Sequence, residues 1–132
     1  MSKKRIILFI ILIVGILYFI ITGIFSDFDT KIGYVENNFG NTMEASFKHF
    51  DGKKDKKIKF NEGEVVNFEY SLQAKDGSLE FQIKDEDGKI VESRKSNDEG
   101  NIELKVDKTQ KYKIIILAEK AQGSYSIEWD KN

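Results

Sequence analysis

The sequence predicts an all-β fold, a sandwich of about eight antiparallel strands behind one N-terminal transmembrane helix. Three observations carry that expectation. Residues 6–25 form an unbroken apolar run, apolar and polar residues alternate with a period of two from about Met43 onward, and glycine-containing turn signals recur at short spacing. Alternation marks strands with one buried face, and regular turn punctuation between such strands marks a sandwich.

The run from Ile6 to Phe25 carries no charge over 20 residues. At about 1.5 Å rise per residue it makes a helix about 30 Å long, the hydrocarbon thickness of a bilayer. Lys3, Lys4 and Arg5 precede it, and Asp27 and Asp29 follow. The positive-inside rule then places residues 1–5 in the cytoplasm and the chain beyond about Ser26 outside. The expected location is the cell membrane, single-pass, with an extracellular C-terminal domain. A cleavable signal has an apolar centre of about 7–15 residues followed by small residues. Here the run ends Thr22-Gly23-Ile24-Phe25-Ser26, and an isoleucine stands third before a cut after either Gly23 or Ser26, so a retained anchor is expected. Lipoprotein processing is excluded because it needs a cysteine and the chain has none. The uncharged helix offers no proton or ion path. Gly15 and Gly23 are too far apart for a close-packed G-x-x-x-G dimer.

Removing Lys3, Lys4 and Arg5 from the 21 basic residues leaves 18 against 22 acidic ones, a formal charge of −4 beyond the membrane. A nucleic-acid partner calls for a basic surplus and is excluded. Roughly 105 residues outside suffice for one domain. Without disulfides, that domain depends on apolar burial and sheet pairing.

Residues 26–42 read as a linker or lead-in. Its apolar residues Phe28, Ile32, Tyr34, Val35 and Phe39 are too many for a solvated tether, and either pack on the sheet or sit at the lipid interface. The domain proper is 43–132, with strands expected near 44–50, 57–61, 64–73, 78–84, 89–94, 101–106, 111–119 and 123–129. Val66, Phe68, Tyr70 and Leu72, then Leu79, Phe81 and Ile83, alternate with polar residues on either side of Ala74-Lys75-Asp76-Gly77. Asp-Gly suits the positive φ of a tight turn, so a hairpin is expected there. Further turns are expected at Asp51-Gly52, Glu62-Gly63, Asp87-Gly88, Glu99-Gly100 and Gln122-Gly123. Absence of proline leaves every strand free to sit centrally.

Few residues point to chemistry. Asp85 and Asp87, beside Gly88, resemble part of a calcium loop, yet the full ligand pattern is missing and an acidic turn is the plainer reading. Lys53, Lys54, Lys56, Lys57 and Lys59 surround Asp55 in the one local basic cluster. They could meet anionic lipid or wall polymer, or simply protect an edge strand. His49 is the only histidine, and no zinc or Ser-His-Asp constellation forms around it in the sequence. No enzyme and no cofactor is expected. In 112–118 both faces of a strand are apolar: if Ile114 and Ile116 point inward, Ile115 and Leu117 point outward and need cover, from the lead-in or from a partner protein.

Phe60 with Glu62-Gly63, Phe68-Glu69-Tyr70-Ser71, Lys84-Asp85-Glu86-Asp87-Gly88-Lys89 and the closing Gly123-Ser124-Tyr125-Ser126-Ile127-Glu128-Trp129 give 56–129 a family likeness. The stretch resembles small exported β-sandwich modules of Gram-positive bacteria, and its closing strand is similar to bacterial pre-peptidase C-terminal domains, whose Asp-Leu-Tyr motif is absent. The resemblance implies a jelly-roll-like sandwich and transfers no ligand residue. The function expected is a membrane-anchored extracytoplasmic binding module for a protein or cell-envelope polymer. Its interaction candidates are Lys53, Lys54, Lys56, Lys57, Ile115 and Leu117. A subunit of a pilus-like or envelope assembly, or a small immunity or stress protein, is the alternative. The pilin layout is only partly met, since the usual processing site is lacking.

Overall fold

The computed structural model describes residues 3–26 and 30–131, with side chains described for 3–14 and 30–131. The expectations placed on residues 1–2, Asp27, Phe28 and Asp29, and on the side chains of 15–26, lie outside the described residues.

Helix α1 runs Lys3–Ser26. It starts three residues ahead of the apolar run because Lys and Arg are good helix formers and no breaker precedes Ile6. Among the described residues no helix is long and apolar enough to cross a membrane. The described side chains of α1 end at Val14, so the expectation that 6–25 spans a membrane falls largely outside the described residues.

The lead-in supplies β1 (Thr30–Ile32) and β2 (Val35–Asn37), neither expected as a strand. They are followed by β3 (Thr42–Phe60), β4 (Val65–Lys84), β5 (Ile90–Lys95), β6 (Asp98–Lys105) and β7 (Gln110–Lys131). All pairings are antiparallel, and β3, β7 and β4 lie side by side at the centre. These three strands are 19, 22 and 20 residues long, well beyond the usual strand.

Their length corrects the expected strand list. The pairs 44–50 and 57–61, 64–73 and 78–84, and 111–119 and 123–129 are each two halves of one strand. Asp51-Gly52, Asp76-Gly77 and Gln122-Gly123 do not reverse the chain. They bend it, at register shifts that fall between Phe47 and Gly52 of β3 and between Ala74 and Ser78 of β4. No hairpin forms at Ala74–Gly77. A jelly roll of eight separate strands is replaced by one seven-stranded sheet folded over on itself. Strands that change layers at bulges make the corners of such packings.

The first layer comprises β1, β2, Thr42–Phe50, Ala121–Lys131, Val65–Ala74 and β6. The second comprises Gly52–Phe60, Gln110–Ala118, Ser78–Lys84 and β5. Aromatic rings fill the space between them: Phe68 of the first layer lies 6.3 Å from Phe60 and 6.3 Å from Phe81 of the second. Most of the alternating residues are buried there, joined by Met43 and Phe50. Ile90, by contrast, is exposed. A register shift next to its pairing with Lys84 turns Val91 toward the core instead.

The corners are tightly specified. Gly77 has φ of +69°, and a Cβ there would strike the carbonyl oxygens of Glu119 and Lys120. A Cβ on Gly123 would strike the carbonyl of Gln73. The bends of β4 and β7 thus touch backbone to backbone, which only glycine allows. On the other side of β4, the connection between β5 and β6 supplies the partners that the bend leaves unpaired. Asn97 Oδ1 accepts from Ala74 N at 3.0 Å and Ser96 Oγ from Leu79 N at 3.2 Å. Asn97 N donates to Leu72 O and Ser96 N to Leu79 O. The turn is therefore at Ser96-Asn97, and Glu99-Gly100 lies within β6.

Candidate functional site

Residues 52–60 of β3 pair only with β7 and form an edge of the second layer. Strand alternation divides the expected lysine cluster between two faces. Lys54 and Lys56 share the inner parity of Ile58 and Phe60, and their stems cross the open side of the sandwich. Lys54 Nζ meets Glu36 Oε1 at 3.2 Å. Lys56 Nζ donates to Asn38 O at 3.1 Å and Gly40 O at 2.8 Å, and stands 5.4 Å from the centre of the Trp129 ring. These two lysines strap the edge strand to the opposite layer, and inward-pointing charges on an edge discourage further pairing.

Lys53 and Lys57 point the other way. On the outer face of the second layer Lys57, Lys113 and Lys84 stand directly opposite one another on three adjacent strands, and Lys59 faces Lys111 in the next row. The far row runs Lys53, Leu117, Glu80 and Lys95. Neighbouring strands lie about 4.8 Å apart, so the three ammonium groups of the first row are anchored within about 10 Å. Like charges directly opposite are unfavourable for the sheet itself.

The row opens on a cleft of about 280 Å³ lined by Lys57, Lys84, Lys111, Lys113 and Tyr112, with Asp85, Glu86 and Gly88 of the turn. Its wall is the turn after β4. Asp85 Oδ1 accepts from the backbone N–H of Asp87 at 3.0 Å and of Lys89 at 2.9 Å. The side chain of Gln110, buried, joins wall to floor: its Oε1 accepts from Glu86 N at 3.2 Å and its Nε2 donates to the Tyr112 hydroxyl at 3.1 Å. Burial, with Asp107 and Asp85 nearby, raises the Tyr112 phenol above its ordinary range, against the lowering effect of Gln110. The cleft brings four lysines together, with Asp85 and Glu86 in its wall and the Tyr112 ring buried beneath it.

The remaining candidates lie as follows. Asp85 serves its turn, and among the described residues no group of three or more His, Cys, Asp or Glu is placed to hold a metal ion. His49 pairs with Ile32 on β3, outside the cleft. Ile115 is 6% exposed and Leu117 half-buried on the outer face of the second layer. The lead-in does not cover them. Its strands pair with Glu44–Asp51 instead, and Tyr34 packs on Phe47 and Phe50 with ring centres 5.9 and 5.2 Å away. Ile115 is shielded within its own sheet, between Asp55 and Gln82. Lys84, Lys111 and Lys113 were not singled out from the sequence. The signal that finds them is parity: Lys111 and Lys113 flank Tyr112 as Ile115 flanks Ile114, and all three share one face.

The fold defines a β-sandwich module. It is similar to part of the secreted serine protease VesC from Vibrio cholerae, with a TM-score of 0.52 and 13% identity over 74% of this chain and 23% of that protein. The chain thus spans less than a quarter of VesC, and the likeness is one of fold. The C-terminal CBM6 of LamC from Zobellia galactanivorans gives a TM-score of 0.42 at 12% identity, covering 79% of this chain and 89% of that one. The CBM22-1 xylan-binding domain of Xyn10C from Paenibacillus barcinonensis gives 0.38 at 9%, covering 80% and 88%. No family model and no curated protein matches the chain.

Proposed function

We propose that this chain is a non-enzymatic binding module, held at the outer face of the cytoplasmic membrane by residues 6–25, whose lysine row engages an anionic polymer of the cell envelope. The row of Lys57, Lys113 and Lys84 carries this reading. Three cations fixed side by side repel one another, and a ligand with repeated negative groups relieves that repulsion while gaining charge-assisted hydrogen bonds. The cleft beside the row is scaffolded by Gln110 and Asp85, so it stands ready without rearrangement. The anchor is supported by the uncharged 20-residue run behind Lys3, Lys4 and Arg5. The non-enzymatic part is supported by the wall of the cleft, where Asp85 is committed to holding the backbone of Asp87 and Lys89.

The test is calorimetric titration of the full chain in neutral detergent with poly(glycerol phosphate) and, in parallel, with dextran. The polyanion should bind with an affinity that falls steeply with salt. Lys57→Gln, Lys84→Gln and Lys113→Gln combined should weaken it by about tenfold or more, equivalent to about 1.4 kcal/mol. Equal binding of dextran, or an unchanged affinity in the triple variant, would overturn the proposal. Binding to anionic vesicles but not to the polymer would also overturn it and assign the row to lipid headgroups.

A further inference from the structure

The lysine face has a counterpart on the other side of the molecule. On the outer face of the first layer lie Glu44, Glu69, Glu99, Glu103, Glu128 and Asp130, opposed by Lys105 and, near the corner, Lys48. Glu69 stands directly opposite Glu128, and the two rim a cleft of about 210 Å³ with Ser71 and Ser126. The domain is therefore charged oppositely on its two flat faces, although its chain is nearly neutral.

The two centres of charge belong to the same two strands. β4 carries Glu69 in one layer and Lys84 in the other, and β7 carries Lys113 in one and Glu128 in the other. Along β4, Glu69 is eight residues before Gly77 and Lys84 seven after it. At about 3.3 Å per residue, both pairs lie about 25 Å from the fold line. Because the sheet doubles back at that line, the lysine pair and the glutamate pair sit on opposite faces at matching distances from it.

The geometry points to a second copy of this chain as the partner of these faces: the domain stacks front to back, the lysine face of one copy on the glutamate face of the next. Each contact brings two unfavourable like-charge pairs together into an alternating set, and the match steers encounter over the Debye length. The contact is heterologous, so a stacked pair still has one free face of each sign and the stack extends. This goes beyond polymer binding, since it uses both faces and requires no polymer.

Sedimentation velocity of the full chain in neutral detergent, without polymer, tests the stack. At about 10 mM salt, where screening reaches about 30 Å, the weight-average mass should rise with protein concentration. At about 1 M salt, where it reaches about 3 Å, the chain should return to a single species. Lys57→Glu with Lys113→Glu, and separately Glu69→Lys with Glu128→Lys, should each fail to associate. Mixed, the two variants should associate again, because one then presents two acidic faces and the other two basic ones. Trp129 fluorescence checks that each is folded. If reversal at half-buried Lys113 unfolds the chain, Lys57→Glu with Lys111→Glu, both exposed, replaces it. Wild type that stays monomeric at low salt, association indifferent to salt, or folded variants that remain separate on mixing would each overturn the stack. The stack and the polymer share the lysine face, but Glu69→Lys with Glu128→Lys removes the stack and leaves that face intact, so the polymer titration on this variant reads the other proposal by itself.

Discussion

The hydroxyl groups of Tyr34 and Tyr125 lie 2.8 Å apart, although 91 residues separate them. Tyr34 stands between β1 and β2 in the lead-in, and Tyr125 belongs to a central strand, so this bond with the Phe47 and Phe50 contacts fastens the segment nearest the helix to the core. Tyr34→Phe keeps the ring and removes the bond. It should lower stability by about 0.5–1.5 kcal/mol in urea denaturation followed by Trp129 fluorescence.

The same pair predicts alkaline behaviour. Burial, foremost, raises both phenols above the ordinary tyrosine range, and their hydrogen bond adds to the effect on Tyr34. The folded state therefore holds these protons more tightly than the unfolded state does. Their contribution is complete below about pH 10, the unfolded value, and is lost as pH rises toward the folded values. Stability on this account should be flat up to about pH 10 and fall above it. In Tyr34→Phe the fall should be shallower, which melting curves across that pH range would read.

Lys56 and Lys57 are neighbours in sequence with opposite tasks. Lys56→Ala loses two carbonyl contacts and the Trp129 ring contact, and should destabilise the fold by about 1–2 kcal/mol. Lys57→Ala removes one member of a like-charge row and should be neutral or slightly stabilising, by up to about 0.5 kcal/mol. A denaturation series on the two variants decides it. Equal effects would mean that strand parity has been misassigned.

Gly77→Ala and Gly123→Ala place a Cβ against backbone carbonyls, which have no rotamer by which to move aside. Each should cost about 3 kcal/mol or more, enough to threaten folding of a domain this size. Gly63→Ala has open space around it and only its positive φ to contend with, so about 1 kcal/mol is expected. Thermal melts of the three side by side provide the comparison.

Asn97 combines a φ of 60° with its acceptance of the Ala74 N–H at the bend of β4. Asn97→Gly keeps the backbone and loses the bond, at about 1 kcal/mol, whereas Asn97→Ala loses both and should cost about 2 kcal/mol. Hydrogen exchange at the Ala74 amide should accelerate in both variants if the side chain is its partner.

Period-two alternation made the strands and most of the core legible: Val66, Phe68 and Tyr70, or Leu79, Phe81 and Ile83, announce their buried face without reference to any other part of the chain. The apolar run of 6–25 is legible in the same local way. One member of the candidate site, Lys57, stood out too, within its cluster. Lys84, Lys111 and Lys113 did not, because they lie far along the chain from Lys57 and only strand pairing brings them beside it.

What the sequence determined by itself was thus local: which residues are apolar, with what period, and where glycine permits a sharp change of direction. Whether Asp76-Gly77 reverses the chain or bends it depends on which strands lie alongside, and the same dipeptide serves either. The contact of Gly77 with the carbonyls of Glu119 and Lys120 decided for the bend. Pairing register likewise decided that Lys57, Lys113 and Lys84 share a row and that Glu69 meets Glu128. A slip of one residue would send each of these to the opposite face, so charge that looks evenly mixed along the chain is sorted by sign only once the strands are paired.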